Sequence, residues 1–200
     1  MGDIPLQLLK TKNCVSFSDK HEFEVKPDKY SPVYVNLKST LSDFQLRNLI
    51  VQEMSKLVPD VTHICGIESG GSYYASALSD VLEKEFLLYR TKRKGYGIKN
   101  SLVGSVPEKG DRLVLIDDVL ATGTTMSTSA REFMENGISV SILTIFSYGF
   151  DDQIAGKYGV EVMSLIKFDD LVNTARAHSY ITPDQERIVG NYLSTYLDII

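Results

Sequence analysis

The chain has 200 residues, 43% of them hydrophobic, enough for one compact domain with a full core. A formal net charge of -5 and a pI near 5.2 argue against a nucleic-acid or membrane-surface binder. No apolar run reaches the ~18 residues a membrane helix needs, and Cys14 and Cys65 form neither a metal-ligand spacing nor a disulfide framework, so a soluble, cytoplasmic protein with reduced thiols is expected.

Residues 4–9 read as the start of an amphipathic helix, followed by a short β-like segment around Val15 and Phe17. The runs 23–26 and 31–36, joined by Pro27-Asp28-Lys29-Tyr30, read as the two arms of a hairpin. A helix is expected over 42–58, with Ser42-x-x-Gln45 as a capping box and Pro59 past its end. From residue 60 the chain alternates. Strand 63–67 leads through Glu68-Ser69-Gly70-Gly71 to a helix over 72–82 rich in small residues, then to strand 86–89. Strand 138–146, a short helix near 151–157, strand 160–166 and helix 169–177 complete the alternation. Thr182-Pro183-Asp184-Gln185 places a cap, a proline at the first helical position and a glutamine three residues after the cap, which starts a final helix. Alternation across 60–178 predicts an α/β fold, a central parallel sheet flanked by helices, with ligands at the carboxyl ends of the strands.

The stretch that organises the chain is 112–126. Leu113-Val114-Leu115-Ile116 is apolar and rich in β-branched residues, too short for a helix, and reads as a strand buried on both faces. Asp117 and Asp118 end it. A Thr/Gly-rich loop follows, then a helix with Met126, Ala130, Phe133 and Met134 on one side and Gly137 as its stop. Loop and helix-terminal amides, with the Thr hydroxyls, suit a phosphate dianion. The acids suit vicinal hydroxyls and a metal-bound ligand, so the whole suits a phosphorylated sugar. Successive strand residues face opposite ways, so both acids reach one ligand only if the strand bends at Asp117. No Gly-Lys-Ser/Thr follows, which excludes a Walker loop, and the Gly-x-Gly-x-x-Gly of a dinucleotide site is missing.

A third signal is the cationic stretch Arg90-Thr91-Lys92-Arg93-Lys94-Gly95-Tyr96-Gly97 in an acidic protein. Beside a phosphate site, such a loop suits the neutralisation of a departing pyrophosphate. His21, His63 and His178 form no cluster, which removes Ser–His–Asp and zinc chemistry, and His63 is expected in the core or at a strand edge. Arg176 is expected on a solvated helix face.

The stretch Arg112 to Met126 closely resembles the 5-phosphoribosyl-1-pyrophosphate (PRPP) motif of type I phosphoribosyltransferases. Over nearly the whole chain the pattern is similar to the orotate phosphoribosyltransferases. Phe23 to Asn36 resembles that family's hood, Gly66 to Gly71 its pyrophosphate loop, and Arg90 to Gly97 followed by Leu102-Val103-Gly104 its catalytic loop. The segments around Ser147-Tyr148-Gly149-Phe150 and Ser179-Tyr180-Ile181-Thr182 resemble one bacterial branch.

The resemblance implies one phosphoribosyltransferase domain over 1–200, with 1–40 contributing the hood and 60–178 the α/β core. It implies that Lys26, Ser69, Gly70, Arg90, Lys92, Lys94 and Tyr96 bind the pyrophosphate side of PRPP, Tyr96 standing where a histidine is usual. Asp117 and Asp118 would hold the ribose, and Val119, Leu120, Ala121, Thr122, Gly123, Thr124 and Thr125 the 5′-phosphate. Lys26, Tyr34, Val35 and Ala121 would surround orotate, and Lys94, Asp117 and Asp118 would carry catalysis. A cis peptide at Glu68–Ser69 is implied, and so is Mg²⁺ held through PRPP and waters near the two acids. A homodimer sharing loop 90–104 across its interface is a further implication. Ala121 replaces the family's usual hydroxyl residue beside the base, and Gly149 stands near the place where some members carry an arginine. Two other readings stay open: transfer to another base such as a purine, and a non-catalytic PRPP sensor.

Overall fold

The computed structural model describes residues 3–20, 22–26, 29–91 and 98–196. Helix α1 (Ile4–Lys10) starts at Asp3, whose carboxylate accepts the Leu6 N–H at 3.1 Å, and Pro5 falls in the first turn, where no amide is needed. Four short strands follow: β1 (Val15–Phe17), β2 (Phe23–Lys26), β3 (Lys29–Ser31) and β4 (Val33–Val35). The expected hairpin is rearranged. β2 pairs antiparallel with β3, whereas β4 pairs with β1 through Val15↔Val35 and Phe17↔Val33. Pro32 divides the run because it has no N–H to give a ladder. Ser31 bridges the break, its hydroxyl accepting the Val33 N–H at 3.0 Å and donating to the Val33 carbonyl at 2.7 Å.

A 3-10 turn over Leu37–Ser42 precedes α2 (Phe44–Ser55). The cap is Asp43 and not Ser42: the Asp43 carboxylate accepts the Leu46 N–H at 3.0 Å. The helix also ends three residues short of the expected Val58, because the Lys56 and Leu57 amides close onto carbonyls only three residues back, those of Glu53 and Met54, at 3.3 and 2.9 Å.

The remaining elements are β5 (His63–Ile67), α3 (Ser72–Leu82), β6 (Glu85–Tyr89), β7 (Leu102–Val103), β8 (Arg112–Leu120), α4 (Thr124–Glu135), β9 (Ser139–Ser147), α5 (Asp151–Tyr158), β10 (Glu161–Lys167), α6 (Phe168–Ala177) and α7 (Pro183–Tyr196). Six strands form one sheet in the order β10-β9-β8-β5-β6-β7. β6, β5, β8 and β9 run parallel, as the alternation predicts, and β7 adds an antiparallel edge beside β6. A two-residue strand leaves too little periodicity to be read in advance.

The chain divides into two units, Ile50–Leu165 and the pair of segments Met1–Leu49 and Ile166–Ile200. In the first, Ile64, Leu113, Val114, Leu115, Ile116, Ile142, Leu143 and Phe146 are fully buried, each contributing ~1.5–3 kcal/mol relative to exposure. Gly66 lets α3 approach β5 closely, since a methyl group there would lie 2.9 Å from the Ala75 Cβ. On α4, Met126, Ala130 and Phe133 are buried, but Met134 is 40% exposed, a correction to the expected apolar face. Met134 stands in the last turn of α4, one residue before the helix ends at Glu135. Gly137 closes α4 at φ +79, as expected.

In the second unit α1 packs on α6, and the Gln185 amide donates to the Phe17 carbonyl at 3.2 Å. The capping box of α7 forms: Thr182 N–H donates to Gln185 Oε1 at 2.9 Å, and Gln185 N–H to Thr182 Oγ1 at 3.3 Å. Arg176 is exposed as expected, and it also pairs with Glu186 at 2.6 Å. Cys14 and Cys65 are free and buried, and burial pushes both thiols up, that of Cys14 to about 12. His63 is buried in β5, its Nδ1 lying 2.7 Å from the Thr62 hydroxyl.

Candidate active site

Because β5, β6 and β8 are parallel, their carboxyl ends lie on one edge of the sheet. The chain leaves that edge through Glu68–Gly71 after β5, Arg90 after β6 and Ala121–Gly123 after β8.

β8 runs farther than its apolar core suggests. Its ladder to β5 stops at Gly66↔Ile116, while its ladder to β9 continues through Asp117↔Thr144 to Leu120↔Ser147. The two acids therefore stand inside the strand, where one neighbour has ended, and do not terminate it. Gly70 and Gly71 lie against them. A methyl group on Gly71 would overlap the Ile116 carbonyl and sit 2.9 Å from the Asp117 Cα, and one on Gly70 would overlap the Asp118 carboxylate. Close approach, rather than a left-handed torsion, is what requires glycine here. The Glu68–Ser69 peptide is cis, as the resemblance implies. Ser69 is exposed.

Both carboxylates fold back onto the chain. Asp118 N–H donates to Asp117 Oδ1 at 2.9 Å, and Val119 N–H to Asp118 Oδ1 at 2.9 Å. Burial, and then the Asp118 charge, push the Asp117 carboxyl up to about 8, against hydrogen bonds from the Asp118 and Gly71 amides. Two acids crowded in this way favour a shared proton, a cation or hydroxyl donors between them.

The loop after β8 turns at Gly123, which adopts φ +66 and sits at the N-terminus of α4. The first intrahelical donor is Ser127 N–H, bonded to the Gly123 carbonyl at 2.8 Å. The amides of Thr124, Thr125 and Met126 thus head the helix at the positive end of its dipole. The hydroxyls of Ser127, Thr128 and Ser129 turn back onto the carbonyls of Gly123, Thr124 and Thr125. Those of Thr122 and Thr124, on either side of the loop–helix junction, lie 3.1 Å apart. Thr124 and Thr125 are exposed, Val119, Ala121 and Thr122 half-buried, and Leu120 and Gly123 buried. Hydroxyls, amides and a helix terminus are thus gathered beside two carboxylates.

Arg90 is exposed, and its N–H donates to the Ser101 carbonyl at 2.7 Å. Lys92, Lys94 and Tyr96 lie outside the described residues. Lys26, Tyr34 and Val35 belong to the other unit. Lys26 ends β2, its side chain lying outside the described residues; Tyr34 is 42% exposed and stacks on Phe23 at 5.9 Å; Val35 is buried. A further set escaped the sequence reading, the polar side chains of Thr144, Ser147, Asp151 and Ser164, two of them in β9. The available signal was a hydroxyl at Thr144 within the run 142–146 of β9, which is apolar apart from it, and another at Ser147 directly after that run.

The phosphoribosyl transferase domain model matches residues 40–161, more than half of the chain, and the protein belongs to the phosphoribosyltransferase family. Within that family its similarity runs to proteins named orotate phosphoribosyltransferase. The one from Archaeoglobus fulgidus is 31% identical over 166 residues, covering 82% of this chain and 88% of that protein. The one from Cytophaga hutchinsonii is 27% identical over 199 residues, covering 95% and 93%. Among solved structures, UMP synthase of Leishmania donovani superposes with a TM-score of 0.82 at 24% identity, over 96% of this chain and 42% of that one, and so shares the fold. No described helix is long and apolar enough to cross a membrane.

Proposed function

We propose that the protein transfers 5-phosphoribose from PRPP to orotate, giving orotidine 5′-monophosphate and pyrophosphate. One observation carries this reading: the amides and hydroxyls of 122–125 head α4 directly after a strand whose two adjacent acids are backed by glycine. Orotate is favoured over a purine because the relatives so named match beyond the 40–161 domain, into the N-terminal segment that resembles the hood.

In this reading the loop amides and the Thr122 and Thr124 hydroxyls take the 5′-phosphate, and Asp117 and Asp118 accept hydrogen bonds from the ribose hydroxyls. Orotate is already an anion, so no covalent nucleophile or general base is needed to activate it. The work left for the protein is positioning, and stabilisation of charge as the C1–O bond to pyrophosphate breaks. Arg90, Lys92 and Lys94, with Lys26, carry the cationic charge suited to that leaving group. The acid pair fits Mg²⁺: its donors are hard oxygens, and the crowding that pushes Asp117 up is relieved by a divalent cation. When bound near Asp117 and Asp118, through PRPP and waters, Mg²⁺ would supply positive charge against the departing pyrophosphate. A cytoplasmic homodimer sharing loop 90–104 belongs to the same proposal.

The test is a panel of orotate, uracil, adenine, hypoxanthine and xanthine with PRPP, read by pyrophosphate release with Mg²⁺ and with a chelator. Turnover on orotate alone, abolished by the chelator, is expected. Turnover on a purine alone would replace the base assignment, and PRPP binding without turnover on any base would favour a sensor.

A further inference from the structure

Asp151 opens α5, is 5% exposed, and has no part in the reaction outlined above. Its two carboxylate oxygens accept the hydroxyls of Ser147, at the end of β9, and Ser164, in β10. The Thr144 and Ser164 hydroxyls lie 3.0 Å apart, and Gly149 N–H donates to Ser147 Oγ at 3.0 Å. Burying a carboxylate away from water is unfavourable unless hydroxyl or amide donors replace the lost hydration. A solvent-exposed cap would start a helix without that cost. The fork instead pins the first turn of α5 to two strands at once.

The pinned segment touches the phosphate loop in two places. Tyr148 N–H donates to the Leu120 carbonyl at 3.0 Å, one residue before the loop begins. One turn into α5, Ile154 is buried and lies against Gly123: a methyl group on Gly123 would collide with the Ile154 Cδ1 and sit 3.0 Å from its Cγ1. The backbone of Gly123, which must hold φ +66 to start α4, thus rests on an isoleucine whose own position depends on the helix that Asp151 anchors.

Building on the function proposed above, we infer that Asp151 is a positioning residue for the 5′-phosphate loop. Ser147 and Ser164 hold its carboxylate, the carboxylate fixes α5, and Ile154 with the Tyr148 amide holds 120–123 in the conformation that receives the phosphate.

A ligand pair differing only in the phosphate isolates this role. The ratio of the dissociation constants of orotidine and orotidine 5′-monophosphate, from calorimetry, measures what the phosphate contributes. In Asp151→Ala and Ile154→Ala that ratio should fall on the order of 10- to 100-fold, with orotidine affinity unchanged. The double variant should lose no more than the larger single loss, since both act through one path. Asp151→Asn, whose amide still offers one acceptor and can donate to a hydroxyl, should recover part of the ratio. A merely structural role would lower the melting temperature and leave the ratio alone. A folded Asp151→Ala protein with the wild-type ratio would overturn the inference, and if that variant does not fold, Ser147→Ala decides by the same ratio. A wild-type protein that binds both ligands equally would overturn the function proposed above as well.

Discussion

Replacing Asp117 by asparagine should stabilise the ligand-free protein while destroying its site. The ordinary carboxyl value of 3.8 rises to about 8 in the fold, because burial and the neighbouring Asp118 charge both oppose ionisation. Between those two values the unfolded chain has released this proton and the folded chain retains it. Folding stability must then fall as pH rises across that window, at up to ~1.4 kcal/mol per pH unit from this one group. Asparagine cannot ionise, so the variant lacks that slope and should be the more stable protein at pH 8. Urea unfolding of both proteins from pH 4.5 to 9, without PRPP or Mg²⁺, gives the two curves. Their difference isolates Asp117, since every other titrating group is common to both. Asp118→Asn should move the wild-type slope to lower pH by removing the second cause of the shift. Parallel curves for wild type and Asp117→Asn would refute the reasoning, for the carboxyl would then ionise as freely in the fold as in the open chain.

Four further substitutions separate the parts of the site. Gly71→Ala meets the Ile116 backbone carbonyl and should cost ~1–3 kcal/mol of stability in a denaturant titration. Gly70→Ala meets the Asp118 carboxylate first, a side-chain end that can rotate away, so stability should hold while PRPP affinity by calorimetry is lost. Gly123→Ala forces a side chain to adopt φ +66 against Ile154 and should cost roughly 1–2 kcal/mol from the torsion alone, with weakened PRPP binding. Lys94→Ala should lower kcat on the order of 10²-fold with little change in the PRPP dissociation constant, as expected for a contact made mainly in the transition state; equal losses in both would reduce that lysine to a binding contact.

The fold was legible where local signals and packing agree. β5 and α3 fall on the expected residues because an apolar run with no polar interruption, and a small-residue helix that can approach Gly66, each admit one solution. The start of α7 was legible because its cap is made of its own residues. The reading went astray where the deciding partner was distant in sequence. Whether 31–36 answers 23–26 or β1 depends on a ladder that Pro32 breaks, and no periodicity reveals which strand waits on the other side. The acid pair shows the same division. Its residue types announced chemistry, yet its geometry depends on where β5 stops, and that is a property of the neighbouring strand. Asp151 is the extreme case. In sequence it is an acid at a helix start, a commonplace; only the tertiary fold surrounds it with two hydroxyls from two strands and sets Ile154 beneath Gly123. Residues that touch a ligand must carry recognisable groups and so can be read from the chain, whereas residues that hold those groups in place need only the right neighbours, and neighbours are what folding decides.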